Sequence, residues 1–134
     1  MGRILAIDYG RKRVGVAVSD ELRIVANGLT TVPAKDIMTF LTAYIAKENV
    51  DCIVVGEPRQ MDYTPSESAK YVDPFVRRLK QKFPSILIER VDERFTSKMA
   101  FQTMIDAGLK KKDRQNKALV DTISATIILQ TYMH

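Results

Sequence analysis

The stretch ILAIDYGRKRVGVAVSD, residues 4–20, decides how the rest of the chain is read. Two runs rich in branched apolar residues, Ile4–Asp8 and Val14–Ser19, flank the turn-forming segment Tyr9–Arg13 with its Gly10. A connection this short joins only antiparallel neighbours, because a parallel pair needs a crossover of about a dozen residues or more. A third run, Ile24–Val32, follows across Asp20–Arg23, and Pro33 ends it. The chain is therefore expected to open with a three-stranded meander that places Asp8 at the end of its first strand.

Beyond the meander, Asp36–Glu48 carries Ile37, Phe40, Leu41, Tyr44 and Ile45 at the spacing of an amphipathic helix. Cys52–Val55 is a continuous apolar run closed by Gly56, the pattern of a buried strand. Glu57–Pro65 reads as a loop. Ser66 is placed to cap a helix with apolar Ala69, Val72, Phe75, Val76 and Leu79, although Pro74 weakens its first half. Pro84 ends that helix and Ile86–Val91 is a fifth strand. Thr96 or Ser97 then caps a third helix closed by Gly108, and Ala118–Tyr132 is a last one, apolar at Leu119, Val120, Ile123, Ile127 and Ile128. Strand–helix–strand crossovers require the fourth and fifth strands to extend the sheet in parallel, with helices available for both faces. The expected fold class is α/β: a mixed five-stranded sheet, an antiparallel meander plus two parallel strands, flanked by helices as a single domain over residues 1–134.

Composition narrows the chemistry. An apolar fraction of 46% with 28% charged residues is that of an ordinary soluble domain. No run has the apolar length of a membrane span, and the N-terminus lacks a signal peptide's apolar core, so no membrane association is expected. One cysteine, Cys52, permits no internal disulfide, which fits a reducing cytoplasm. With a single histidine, His134, it leaves little material for a zinc site or a Cys–His nucleophile. The net charge of +5 suits a polyanionic partner, and it suits solubility equally well.

Chemistry in parallel α/β sheets collects at the carboxyl ends of strands. Asp8 ends the first strand, Glu57 follows the fourth, and Asp92 and Glu93 follow the fifth. Asp121 lies early in the last helix among Ala118, Val120, Ser124 and Ala125, and a carboxylate on such a small-residue face is costly unless something pairs with it. A divalent cation shared with Asp8 would supply that pairing. Mg²⁺ and Mn²⁺ favour oxygen ligands, and two such ions can hydrolyse a phosphodiester with little from the protein but carboxylates. Duller readings exist for each acid singly: a turn start at Asp8, a dipole contact or a pair with Lys117 for Asp121, solvated positions for Asp92 and Glu93. Taken together, the acids favour the metal site. Two basic runs bracket it: Arg11, Lys12 and Arg13 after Asp8, and Lys110, Lys111, Lys112, Arg114 and Lys117 before Asp121. Their position favours nucleic acid over a merely solvated surface.

IDYGRKRVGVAVSD at 7–20, VVGEPRQM at 54–61, DERFTS at 92–97 and KALVDTISATIIL at 117–129 together resemble the YqgF/RuvX family. Its members are described as nucleases of precursor 16S ribosomal RNA and, earlier, as Holliday junction resolvases. The resemblance spans essentially the whole chain, with four motifs in the family's order. It implies an RNase H-like fold and catalytic carboxylates at Asp8, Asp121 and the acid of the D-E-R motif. Glu93 is assigned that role with Asp92 as the alternative, and Arg94 beside it joins the nucleic-acid-binding set. Most family members have an apolar residue where this chain has Glu57. Related RuvC-type resolvases ligate metal with an acid after the fourth strand, so an extra ligand and a peripheral surface residue are both open for Glu57.

The resulting expectation is a nuclease using Mg²⁺ or Mn²⁺ that trims the 5′ end of precursor 16S ribosomal RNA. It would work in the cytoplasm, as monomer or homodimer, with ribosomal precursor particles as partners. Structured DNA is the alternative substrate, since cleavage of four-way junctions uses the same chemistry but needs two sites and hence a dimer. A non-catalytic RNA-binding module would keep the fold without the reaction. A nucleotide-clamping ATPase of the actin type shares the strand–D-x-G opening but needs two such lobes, and the chain has length for one.

Overall fold

The computed structural model describes residues 2–57, 69–92 and 117–133. Strands β1 (Arg3–Tyr9), β2 (Arg13–Ser19) and β3 (Ala26–Pro33) lead through a 3₁₀ turn, Ala34–Asp36, into helix α1 (Ile37–Lys47). Then come β4 (Val50–Glu57), α2 (Ala69–Lys82), β5 (Leu87–Asp92) and α3 (Lys117–Met133). The five strands form one sheet in the order β3-β2-β1-β4-β5. The first three pair antiparallel, while β4 runs parallel to β1 and β5 parallel to β4. The meander and its parallel extension are those the sequence requires. The expected loop to Pro65, the Ser66 cap and the third helix lie outside the described residues.

Two local expectations are modified. The third strand begins at Ala26 rather than Ile24, because the Asp20 carboxylate accepts the backbone N–H groups of Ile24 and Val25 at 2.7 and 2.9 Å. Those donors belong to a turn, which also holds Arg23 at φ 59°, and Ile24 is 66% exposed despite its strand-like character. The second modification concerns Pro74, around which α2 continues without a break. Pro74 is exposed, so the carbonyl four residues back that loses its intrahelical donor can be hydrated.

Alternation along the strands builds two unlike layers. Leu5, Ile7, Val14, Val16, Ile53 and Val55 face α1 and α2, whose Ile37, Leu41, Val72, Phe75, Val76 and Leu79 complete a core of large side chains. On the other face Ile4, Ala6, Ala17, Cys52 and Val54 meet Ala125, Ile128 and Leu129 of α3. Small residues dominate the sheet side of that second layer. The helix therefore lies close, and it does so across β2, β1 and β3.

Candidate active site

Asp8 follows Ile4 and Ala6 in the alternation of β1, so it belongs to the face covered by α3, at the carboxyl end of the strand. Its partner in the register is Gly15 of β2, and the partner of Gly15 on the far side is Thr31 of β3. The helix comes down onto this row. A Cβ at Gly15 would collide with the Asp121 carbonyl and stand 3.1 Å from the Thr122 amide nitrogen. Only a residue without a side chain permits that approach. At the end of the row, the Thr31 and Thr122 hydroxyls hydrogen-bond at 2.6 Å, and Thr126 donates to the Thr122 carbonyl at 2.9 Å. Asp8 and the backbone bearing Asp121 are thus brought to one face at one end of the sheet.

The partner of Asp121 is Arg13, whose Nε donates to Oδ2 at 2.8 Å. Arg13 lies two residues before Gly15 on β2 and shares its face. The Arg13 side chain is 40% exposed and that of Asp121 21%, so the pair sits at the mouth of the layer. Its carbonyl accepts the Gly10 N–H at 3.0 Å, closing the turn between β1 and β2. Tyr9 turns to the opposite face and stacks on Phe75 with centroids 4.3 Å apart, while Arg11 lies over the Tyr71 ring at 4.8 Å. Both contacts tie the turn to α2. Lys12 is exposed.

At the same end of the sheet Glu57 and Asp92 stand opposite one another as the last register pair of β4 and β5. For these two the description is of the backbone alone. Glu93, Arg94, Lys110, Lys111, Lys112 and Arg114 lie outside the described residues. Among the described residues no three acids, histidines or cysteines stand together as a metal centre. Cys52 is buried toward the other end of the sheet, beside Ile4 in the register, with Sγ 3.7 Å from the Tyr132 hydroxyl. Burial pushes its thiol above the usual range, against a smaller opposing pull from Tyr132, so it is no thiolate nucleophile.

Sequence reasoning named Asp8 and Asp121 but not the Arg13 bridge or the Thr31–Thr122 contact. The usable signal was Gly15: a glycine inside a valine-rich strand marks a place where another backbone approaches closely.

The sheet order β3-β2-β1-β4-β5, with its antiparallel meander and parallel extension, is that of an RNase H-like fold. The RuvC protein of T. thermophilus, solved with a Holliday junction substrate, superposes with a TM-score of 0.55, covering 99% of this chain and 96% of that one at 14% identity. Residues 2–134 match the family RuvX, Holliday junction resolvase, and the chain belongs to that family. A relative from Bacteroides thetaiotaomicron is 62% identical over 133 residues, 99% of this chain and 96% of its own. One from Flavobacterium psychrophilum is 60% identical over 133 residues, 99% and 97% of the two chains. Both bear the name "Putative pre-16S rRNA nuclease". Among the described residues, no helix is long and apolar enough to cross a membrane.

Proposed function

We propose that this chain is a divalent-metal-dependent endonuclease that trims the 5′ end of precursor 16S ribosomal RNA in the cytoplasm. The observation that carries the reading is the convergence of Asp8 and Asp121 across Gly15. Their carboxylate oxygens are the donors that Mg²⁺ and Mn²⁺ favour, and the Arg13 bond engages one oxygen of Asp121. Asp8, Asp121 and Glu93 would hold the metal, with Glu57 or Asp92 as a further ligand. Bound there, the metal supplies an activated water and charge for the leaving oxygen. The protein's own share is to keep the two aspartates on facing backbones and to gather phosphate with Arg11, Lys12, Arg94, Lys110, Lys111, Lys112 and Arg114. The name of the close relatives favours RNA. The family's description supports a second reading, cleavage of four-way DNA by a homodimer.

The test is Mn²⁺-dependent cleavage of a labelled precursor 16S 5′-end RNA and a DNA four-way junction by wild type, D8N and D121N. Losing one ligand removes several kcal/mol of charge stabilisation, so each variant should be slower by at least about 10²-fold. RNA cleavage that survives either substitution would refute the site. Cleavage of the junction alone would move the enzyme to the second reading, and RNA bound but never cut would leave a binding module.

A further inference from the structure

We propose that Arg13 is a phosphate-contacting residue that couples substrate to the carboxylate site, holding Asp121 with Nε and a backbone phosphate of the nucleic acid with its two terminal nitrogens. The inference rests on the nuclease reading above and deepens it. A guanidinium is planar and presents five N–H donors on two usable edges. Here one donor, Nε, is taken by Asp121 Oδ2 at 2.8 Å, and Nη1 and Nη2 meet no partner among the described residues. The side chain is 40% exposed, so those nitrogens can be reached from solvent. A forked pair of N–H donors matches two oxygens of one phosphate.

The three consecutive cations Arg11, Lys12 and Arg13 are held differently. Arg11 and Lys12 lie in the turn, exposed, with Arg11 over the Tyr71 ring. Arg13 belongs to a strand paired on both sides: its register partner across β3 is Pro33, and β1 pairs with β2 from the next residue on. The Gly10 N–H bond to its carbonyl at 3.0 Å and the Ala34 N–H bond to the Lys12 carbonyl at 2.9 Å fix the backbone further. Its side chain is then fixed by Asp121. A cation so preorganised loses little freedom on meeting a phosphate, and it sets the distance from that phosphate to Asp121. Arg11 and Lys12 raise the local concentration of polyanion, while Arg13 registers it.

The experiment separates binding from cleavage by working in chelator. Fluorescence anisotropy of a labelled single-stranded precursor 5′-end RNA is followed from about 50 to 200 mM salt, with a junction DNA in parallel. R13Q should bind RNA about tenfold more weakly, and its slope of log K against log salt should be shallower by about 0.7, the signature of one lost phosphate contact on a single strand. R13K keeps a cation but cannot meet both oxyanions as a fork, so its affinity should fall between the two, with a melting temperature near wild type. If R13Q matches wild type in affinity and slope while wild type binds, Arg13 only braces Asp121 and the inference is overturned. The same holds if R13Q and R13K weaken binding without changing the slope. If only the junction is bound and R13Q makes its slope shallower by about 0.9, the Arg13 role stands and the RNA reading falls. Failure of wild type to bind either ligand removes both.

Discussion

Substituting Gly15 by alanine tests the link between packing and chemistry directly. The added Cβ would overlap the Asp121 carbonyl and press on the Thr122 amide nitrogen, both backbone atoms of α3 that no rotamer change can move aside. Restoring ordinary contact at about 3.5 Å requires α3 or β2 to retreat by about 1.4 Å. Overpacking of this kind costs about 1–3 kcal/mol. For a chain of 134 residues that is a loss of about 4–11 °C in melting temperature. The functional effect should be larger than the thermal one. A displacement of about 1 Å in a catalytic group costs on the order of 10²-fold in rate, and in the proposed site the moved group is Asp121 relative to Asp8. The assay is Mn²⁺-dependent RNA cleavage well below the melting point of G15A, beside a thermal melt and a far-UV spectrum of the same sample. A folded G15A with slow cleavage is the expected result. A variant that melts and cuts like wild type would show that the close approach of α3 to β2 has no bearing on the site.

Further outcomes follow from the packing on the two faces of the sheet. Phe75 is buried and stacked on Tyr9, so F75A should lose about 3–5 kcal/mol and melt about 10–20 °C lower; an unchanged melt would mean that this ring does not anchor α2 to the sheet. The buried Cys52 thiol should resist a thiol reagent in the native state and react fully in denaturant, and fast native labelling would contradict its burial. Because its folded pKa is raised, its stabilising contribution is complete below the ordinary value of 9.0 and is lost as pH rises toward the elevated one. C52A should therefore flatten the alkaline decline of the melting temperature.

Much of the fold was legible because burial and alternation coincide in this sequence. The runs in β1, β2 and β4 are apolar on both faces, and the strands are covered on both faces. The error at Ile24 and Val25 came from reading β-branched character as pairing, when the Asp20 side chain had already taken their backbone donors. Pro74 misled in the opposite direction, since a helix tolerates proline where the orphaned carbonyl faces water. For the site, Asp8 and Asp121 could be nominated from strand ends and a small-residue helix. Their relation could not. Local rules look only a turn or so along the helix from Asp121, whereas the structure supplies Arg13 from 108 residues away. Only the tertiary register, with Asp8, Gly15 and Thr31 in one row beneath α3, shows why that arginine is the neighbour.

The unequal faces of the sheet explain why the acids lie on one of them. Asp is a short side chain, so an aspartate on a strand and another on a helix can serve one metal only if their backbones stand within the reach of the two side chains. Packed helices ordinarily keep their axes about 8–10 Å apart, the spacing that large side chains set. The α1–α2 face, filled by Leu5, Ile7, Val16, Phe75 and Leu79, holds its helices off in the same manner. On the α3 face, Ala6, Gly15 and Ala17 remove that spacer, and Gly28 does so beneath Thr122, whose Cγ2 would stand 2.7 Å from any Cβ there. A larger residue at Gly15, where the neighbouring atoms are the backbone of α3, would separate Asp8 from Asp121 without touching either carboxylate. The glycines and alanines of this face are thus part of the proposed site's geometry, and its reach is set by what they lack.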